Sequence, residues 1–178
     1  MFWWMLTMEE DEEIENYGIN IEFAHLNAKN LIKDDFFWCN VDELSPFGSD
    51  EGDTALEEFR DWRKENPNDP VLNCIEWIIK DIGAISIGKY NKDLLLPDLI
   101  KSQINNKDFD DQYYIFTLDI SIIATGFGQY VDEGIIDNEV IPYLRLAIHR
   151  QKLWAKGMVN DRIYINNLNR LDYFLNKI

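Results

Sequence analysis

A chain of 178 residues, 46% hydrophobic and 13% aromatic, is long enough to bury a substantial core without disulfide or metal staples. Its formal charge of −16 excludes a generic nucleic-acid binder, because a net anion of this size repels phosphate except at a local basic patch. The charge is polarised: residues 1–70 hold 19 acids and 5 bases, whereas residues 141–178 hold 2 acids and 7 bases. Either the basic end neutralises the acidic front, or it faces an anionic partner.

Met1 to Leu6 is apolar, but it is too short for a secretory signal, has no basic flank and is followed by acids. Met8 offers an alternative start. Glu9 to Glu15 reads E-E-D-E-E-I-E, a block that repels itself and is expected to be solvated. Residues 1–20 are therefore read as a weakly structured acidic segment and residues 21–178 as one helical domain.

Helical signals then follow one another. Ala24 to Lys33 carries Leu26, Leu31 and Ile32 among good helix formers. Ser49 or Asp53 can cap a helix to about Glu65, with Leu56, Phe59 and Trp62 at helical spacing. Asn66-Pro67-Asn68-Asp69-Pro70 stops it, and Asp69-Pro70 reads as the N-cap and first position of the next. Leu72, Ile75, Ile78, Ile79 and Ile82 form its apolar stripe, ended by Gly83. Residues 84–90 alternate weakly through Ile85 and Ile87, as a short extended segment would, and Pro97 opens a short helix through Ile104.

The acidic run Asp108 to Asp111 suits a helix start, and Gln112 to about Val131 is apolar on almost every side. Asp119, Ser121 and Thr125 interrupt it, and it is too short to span a bilayer, so it reads as a buried central helix. Asp137 is expected to open the next helix, which stops at Gly157. Asn160 or Asp161 caps the last, whose Tyr164, Leu168, Leu171, Leu175 and Ile178 follow a near-heptad line. The expected fold is mostly α: a single-domain bundle of about six or seven helices around the central segment 112–131.

The common catalytic templates are absent from the sequence: no G-x-x-x-x-G-K-[ST], no G-x-S-x-G, no H-E-x-x-H. Gly126-Phe127-Gly128 is a lone G-x-G within a helical run. His25 and His149 stand on separate elements without a metal-spaced neighbour, and Asp50 to Asp53 lacks the alternation of an EF-hand loop, so no metal or cofactor is implied. Cys39 and Cys74 lie far apart in apolar surroundings and read as free thiols, which suits a reducing, cytoplasmic setting. Asp119 is the informative acid. Ile115, Phe116, Ile122 and Ile123 lie one turn to either side, so it is expected to be buried and paired by Arg145, His149 or Arg150.

The most distinctive local signal runs from Asp34 to Arg63. Phe36, Phe37 and Trp38 lead into the turn Ser45-Pro46-Phe47-Gly48 and then into a capped helix. Pro46 fixes one dihedral, and Gly48 permits a left-handed one. Two readings stand side by side: a well-made loop-to-helix joint, or a ligand or partner site using Trp38, Phe47, Gly48, Asp50, Asp53, Trp62 and Arg63. The stretches F-F-W-C, D-E-L-S-P-F-G-S-D-E-G and F-R-D-W-R-K-E-N-P, spanning roughly Ala24 to Pro67, resemble a family of bacterial cytosolic proteins, YfeS-like and labelled as related to molybdate-metabolism regulators. The resemblance implies regulation, and relatives with that label can carry a Trp-Gly-Arg domain linked to nucleic acid. No Trp-Gly-Arg tripeptide occurs here, and the resemblance transfers no catalytic residue.

The expected function is a non-catalytic module that binds a protein or a small ligand, one form of which would be an acidic immunity-type protein that neutralises a basic toxin. Two alternatives remain open. One is a carboxylate-dependent enzyme drawing on Asp34, Asp35, Asp50, Glu51 or Asp53. The other is a regulator that contacts nucleic acid through Arg145, Arg150, Lys152, Lys156, Arg162 and Arg170.

Overall fold

The apolar run in the second half of the sequence organises the molecule. In the computed structural model, which describes residues 18–106, 111–158 and 161–178, it forms α5 (Asp111–Glu133), and residues 118–131 are buried without a break. A helix without a polar face must be surrounded. It is covered by α1 (Leu26–Leu31), α2 (Asp50–Glu65), α3 (Val71–Asp81), α4 (Pro97–Asn105) and α6 (Ile141–Met158), and α7 (Arg162–Leu175) packs on α6. Three 3-10 turns, Asp35–Trp38, Ile87–Lys89 and Lys92–Leu95, fill the connections. The described residues are thus mostly helical and contain no strand.

The lone G-x-G belongs to this packing. A Cβ on Gly126 would lie 2.5 Å from Leu144 of α6, and one on Gly128 would lie 3.0 Å from Leu56 of α2. The two glycines let neighbouring helices close on α5 from two directions. Gly134 ends α5 in the left-handed conformation (φ 74°), with its amide on the Tyr130 carbonyl. A Cβ there would strike the His25 ring.

Several local expectations are revised. Residues 84–90 do not form an extended segment; a turn with Ala84 at φ 43° leads into the Ile87–Lys89 3-10 helix, which carries Tyr90 inward. Asp69 does not cap α3. Pro70 holds the N-cap position, and the Val71 amide donates instead to Asp137 Oδ2 at 2.9 Å, across 66 positions of sequence. Asp137 therefore does not open α6, which begins at Ile141 and continues past Gly157 to Met158. Buried Gln129 holds Asp137 in place, donating to its Oδ1 at 2.9 Å and accepting its amide at 3.0 Å.

Other caps use local side chains. Ser49 Oγ accepts from the Gly52 amide at 3.1 Å, and Asp161 Oδ1 accepts from Ile163 and Tyr164 at 2.9 and 3.0 Å. Ile178, by contrast, lies beyond α7 and is exposed. The first described residues sit on α2: Gly18 donates to Glu57 and accepts from Arg60, both at 2.8 Å, and Ile19 is buried. The start-site question, the acidic run Glu9 to Glu15, Asp108 to Asp110 and Asn160 lie outside the described residues. Among the described residues no helix is long and apolar enough to cross a membrane.

Candidate functional site

The Asp34–Arg63 segment is knitted into the core. Phe37 is fully buried and makes edge-on contacts with Trp38, Phe47, Phe127 and Phe174 at centroid distances of 5.1 to 6.1 Å. Phe47 is likewise sealed. Trp38 is half-buried and donates its indole N–H to the Ile32 carbonyl at 3.1 Å. Ser45 Oγ donates to the Cys39 carbonyl at 2.6 Å. Gly48 is not left-handed; its requirement is steric, because a Cβ would collide with the Asp42 carbonyl oxygen. A Cβ on Gly52, in the first turn of α2, would likewise collide with the Pro46 carbonyl oxygen.

The rest of the segment disperses. Trp62 is half-buried under the Arg63 guanidinium, 5.2 Å from its ring centre. Arg63 also pairs with Glu133 at 2.7 Å and donates to the Asn66 and Asp69 carbonyls. Asp53 is exposed, its carboxyl held above the usual range by partial burial and by Glu57. Asp50 lines a groove of about 250 Å³ with Glu51, Glu58, Trp77 and Asp81. Burial and Asp81 push the Glu58 carboxyl upward in the same groove.

Asp119 lies at the centre of the molecule with 0% of its surface exposed. Of the three basic residues considered for it, Arg150 makes the pair. Its Nε donates to Oδ2 at 2.8 Å and its Nη2 to Oδ1 at 2.6 Å, a two-pronged contact on a guanidinium itself only 3% exposed. Gln151 Nε2 adds a bond to Oδ2 at 2.9 Å, and the Tyr90 hydroxyl donates to Oδ1 at 2.5 Å. Tyr164 then donates to Gln151 Oε1 at 3.0 Å. The carboxylate thus accepts from three side chains drawn from two other elements. Burial, with the Asp119 charge beside it, raises the Tyr90 hydroxyl well above its ordinary range, and Tyr164 shifts the same way for the same two reasons.

Tyr90 connects this interior to the surface. Its ring forms part of the wall of a groove of about 700 Å³ between the Lys92–Leu95 turn and the first half of α6. Leu72, Leu95, Ile141 and Leu146 supply apolar lining, and Tyr143 stacks on Tyr90 at 6.2 Å with planes 24° apart. Exposed Lys92, Arg145 and His149 also line it, with Glu139 as the one acid among the described lining residues. The Arg150 guanidinium lies 5.2 Å from the Tyr90 ring centre, so the aromatic wall is braced from within. None of the junction residues singled out in the sequence lies here. The groove draws on residues 72, 90–95 and 139–149, and no single stretch of sequence signals it.

Among the described residues, several opposite charges pair within each part of the fold. Arg60 and Arg63 of α2 pair with Asp132 and Glu133 at the end of α5. In the second half, Arg145 and Lys152 meet Asp172 at 3.5 and 3.0 Å, and Arg150 meets Asp119. These ion pairs do not join the basic end to the acidic front, although Arg170 does reach the Phe36 ring at 5.3 Å. Cys39 and Cys74 are free thiols, the former half-buried and the latter buried.

This chain is similar to a protein described as Uncharacterized protein YfeS from Escherichia coli (strain K12), 27% identical over 147 residues. The alignment covers 83% of this chain and 57% of that protein, so the chain spans little more than half the length of the relative it matches. No family model and no solved structure matches the chain. The likeness supports a YfeS-like relationship extending over most of the chain, well beyond Ala24 to Pro67.

Proposed function

We propose that the chain is a binding module that takes a small ligand into the groove between the Lys92–Leu95 turn and α6, without transforming it. The observation that carries this reading is the way the wall is built: Tyr90 is fixed by Asp119, which is itself fixed by Arg150 and Gln151. A preformed, mostly apolar cavity with a few charged groups at its mouth is the usual form of a small-ligand site, and about 700 Å³ suits a molecule of a few rings. A cytoplasmic setting fits the free Cys39 and Cys74. A nucleic-acid role through the basic helices loses Arg150, which is 3% exposed and occupied by Asp119. The test is a fragment screen by amide NMR on the full chain. Saturable shifts clustering on Leu95, Tyr143 and Leu146 are expected, and shifts scattered over the surface would remove the reading.

One observation favours a second reading, a carboxylate-dependent reaction. Asp50, Glu51, Glu58 and Asp81 line one concave site beside Trp77, and Glu58 is raised in the direction a general acid requires. Turnover of a panel of hydrolysable substrates that vanishes in Glu58→Gln, with unchanged thermal stability, would favour it over simple binding.

A further inference from the structure

Resting on the binding-module reading, we propose that the α6 groove selects ring-bearing anions: a flat ring against Tyr143, which buried Tyr90 backs, and a carboxylate or phosphate at Arg145 and Lys92. The case begins with charge. On a chain of net charge −16, Lys92 and Arg145 line one groove against Glu139, the single acid among its described lining residues. Low-dielectric walls focus that local field, so a small anion is drawn to this mouth despite the overall repulsion. The buried Arg150 adds no net attraction, because Asp119 already balances it.

Arg145 is placed to reach a ligand. Its contacts with Asp172 and with the Leu175 carbonyl are both 3.5 Å long, and its side chain is 43% exposed. Lys152 also holds Asp172, at 3.0 Å, so a swing of Arg145 toward the groove leaves that carboxylate paired. Reorientation therefore costs little, and the guanidinium can meet a carboxylate or phosphate with two parallel bonds. The inner surface is suited to a ring: half-buried Tyr143, backed by the buried Tyr90 ring 6.2 Å away and nearly parallel to it, presents aromatic area beside Leu95 and Leu146.

The experiment titrates the full chain with three isosteric probes, naphthalene-2-carboxylate, 2-naphthamide and 2-naphthylmethylammonium, following amide NMR shifts. The carboxylate is expected to bind about tenfold or more tighter than the amide, with the cation weakest and the preference shrinking as salt is added. Arg145→Gln should abolish the preference while leaving amide binding in place, and Lys92→Gln should reduce it. Arg162→Gln, the same charge change on an exposed residue outside the groove, should leave it intact. Equal binding of carboxylate and amide in the groove overturns the anion selection and leaves the binding-module reading standing. Absence of saturable shifts around Tyr143 with all three probes overturns both. A fourth arm with 2-naphthyl phosphate separates the two anion types by whether its affinity exceeds that of the carboxylate.

Discussion

Arg150 and Asp119 form a two-pronged ion pair sealed inside a helical bundle, and Tyr90 and Gln151 complete the acceptor shell of the carboxylate. A buried pair of this kind adds little relative to apolar residues of the same volume, yet losing one partner strands a charge. Asp119→Ala is thus expected to lower unfolding free energy by about 3 to 5 kcal/mol, and Arg150→Met by a similar amount. The double variant should recover part of the loss. Urea titrations would check this, and strictly additive effects of the two changes would show that the residues act independently.

Alkaline pH offers a second test. Burial raises Tyr90 and Tyr164, and it pushes the Cys74 thiol from its ordinary 9.0 up to about 12. Each folded value lies above its unfolded one. The stability these groups contribute is therefore complete below the unfolded values and is lost as pH rises toward the folded ones. Urea midpoints should hold near neutrality and fall from about pH 9 upward. Tyrosinate absorbance should show a fraction of the tyrosines ionising only as the chain unfolds. A smooth titration of all of them in the folded protein would contradict the burial of Tyr90 and Tyr164.

Thiol reactivity follows from the same geometry. Ellman's reagent should modify half-buried Cys39 in the native protein, whereas Cys74 should react only at the rate of unfolding. Equal native rates would place Cys74 nearer the surface than the fold allows.

Gly48→Ala should cost about 1 to 3 kcal/mol, because the new methyl group meets the Asp42 carbonyl and the turn must open. Gly88→Ala serves as the control, since open space surrounds a Cβ there. Thermal melts of the two variants should separate clearly; comparable melting points would mean the Ser45–Gly48 turn is looser than its packing implies.

The helical bundle and its central helix were readable because α5 has no polar side, and an all-round apolar helix has one possible location. Asp119 stood out against that background for the same reason. The Asp34–Arg63 segment was ambiguous because aromatic residues serve cores and binding sites alike. Burial seals Phe37 and Phe47 in the core, whereas Phe36, Trp38 and Trp62 stay half-buried. The groove was invisible: Leu72, Tyr90 and Tyr143 are unremarkable in sequence and meet only through tertiary structure. The misplaced cap of α3 has a similar origin, since the acid that serves Val71 sits far along the chain and a nearer acid, Asp69, looked sufficient.

That long-range cap also bears on the order in which the molecule assembles. The Asp137–Val71 bond joins residues 66 positions apart, at the start of α3 and just after α5, so its stabilisation is expected to be missing when folding passes its barrier. Asp137→Asn should then leave the refolding rate nearly unchanged and accelerate unfolding, so that a contact at one end of a helix governs how long the native state lasts rather than how quickly it forms.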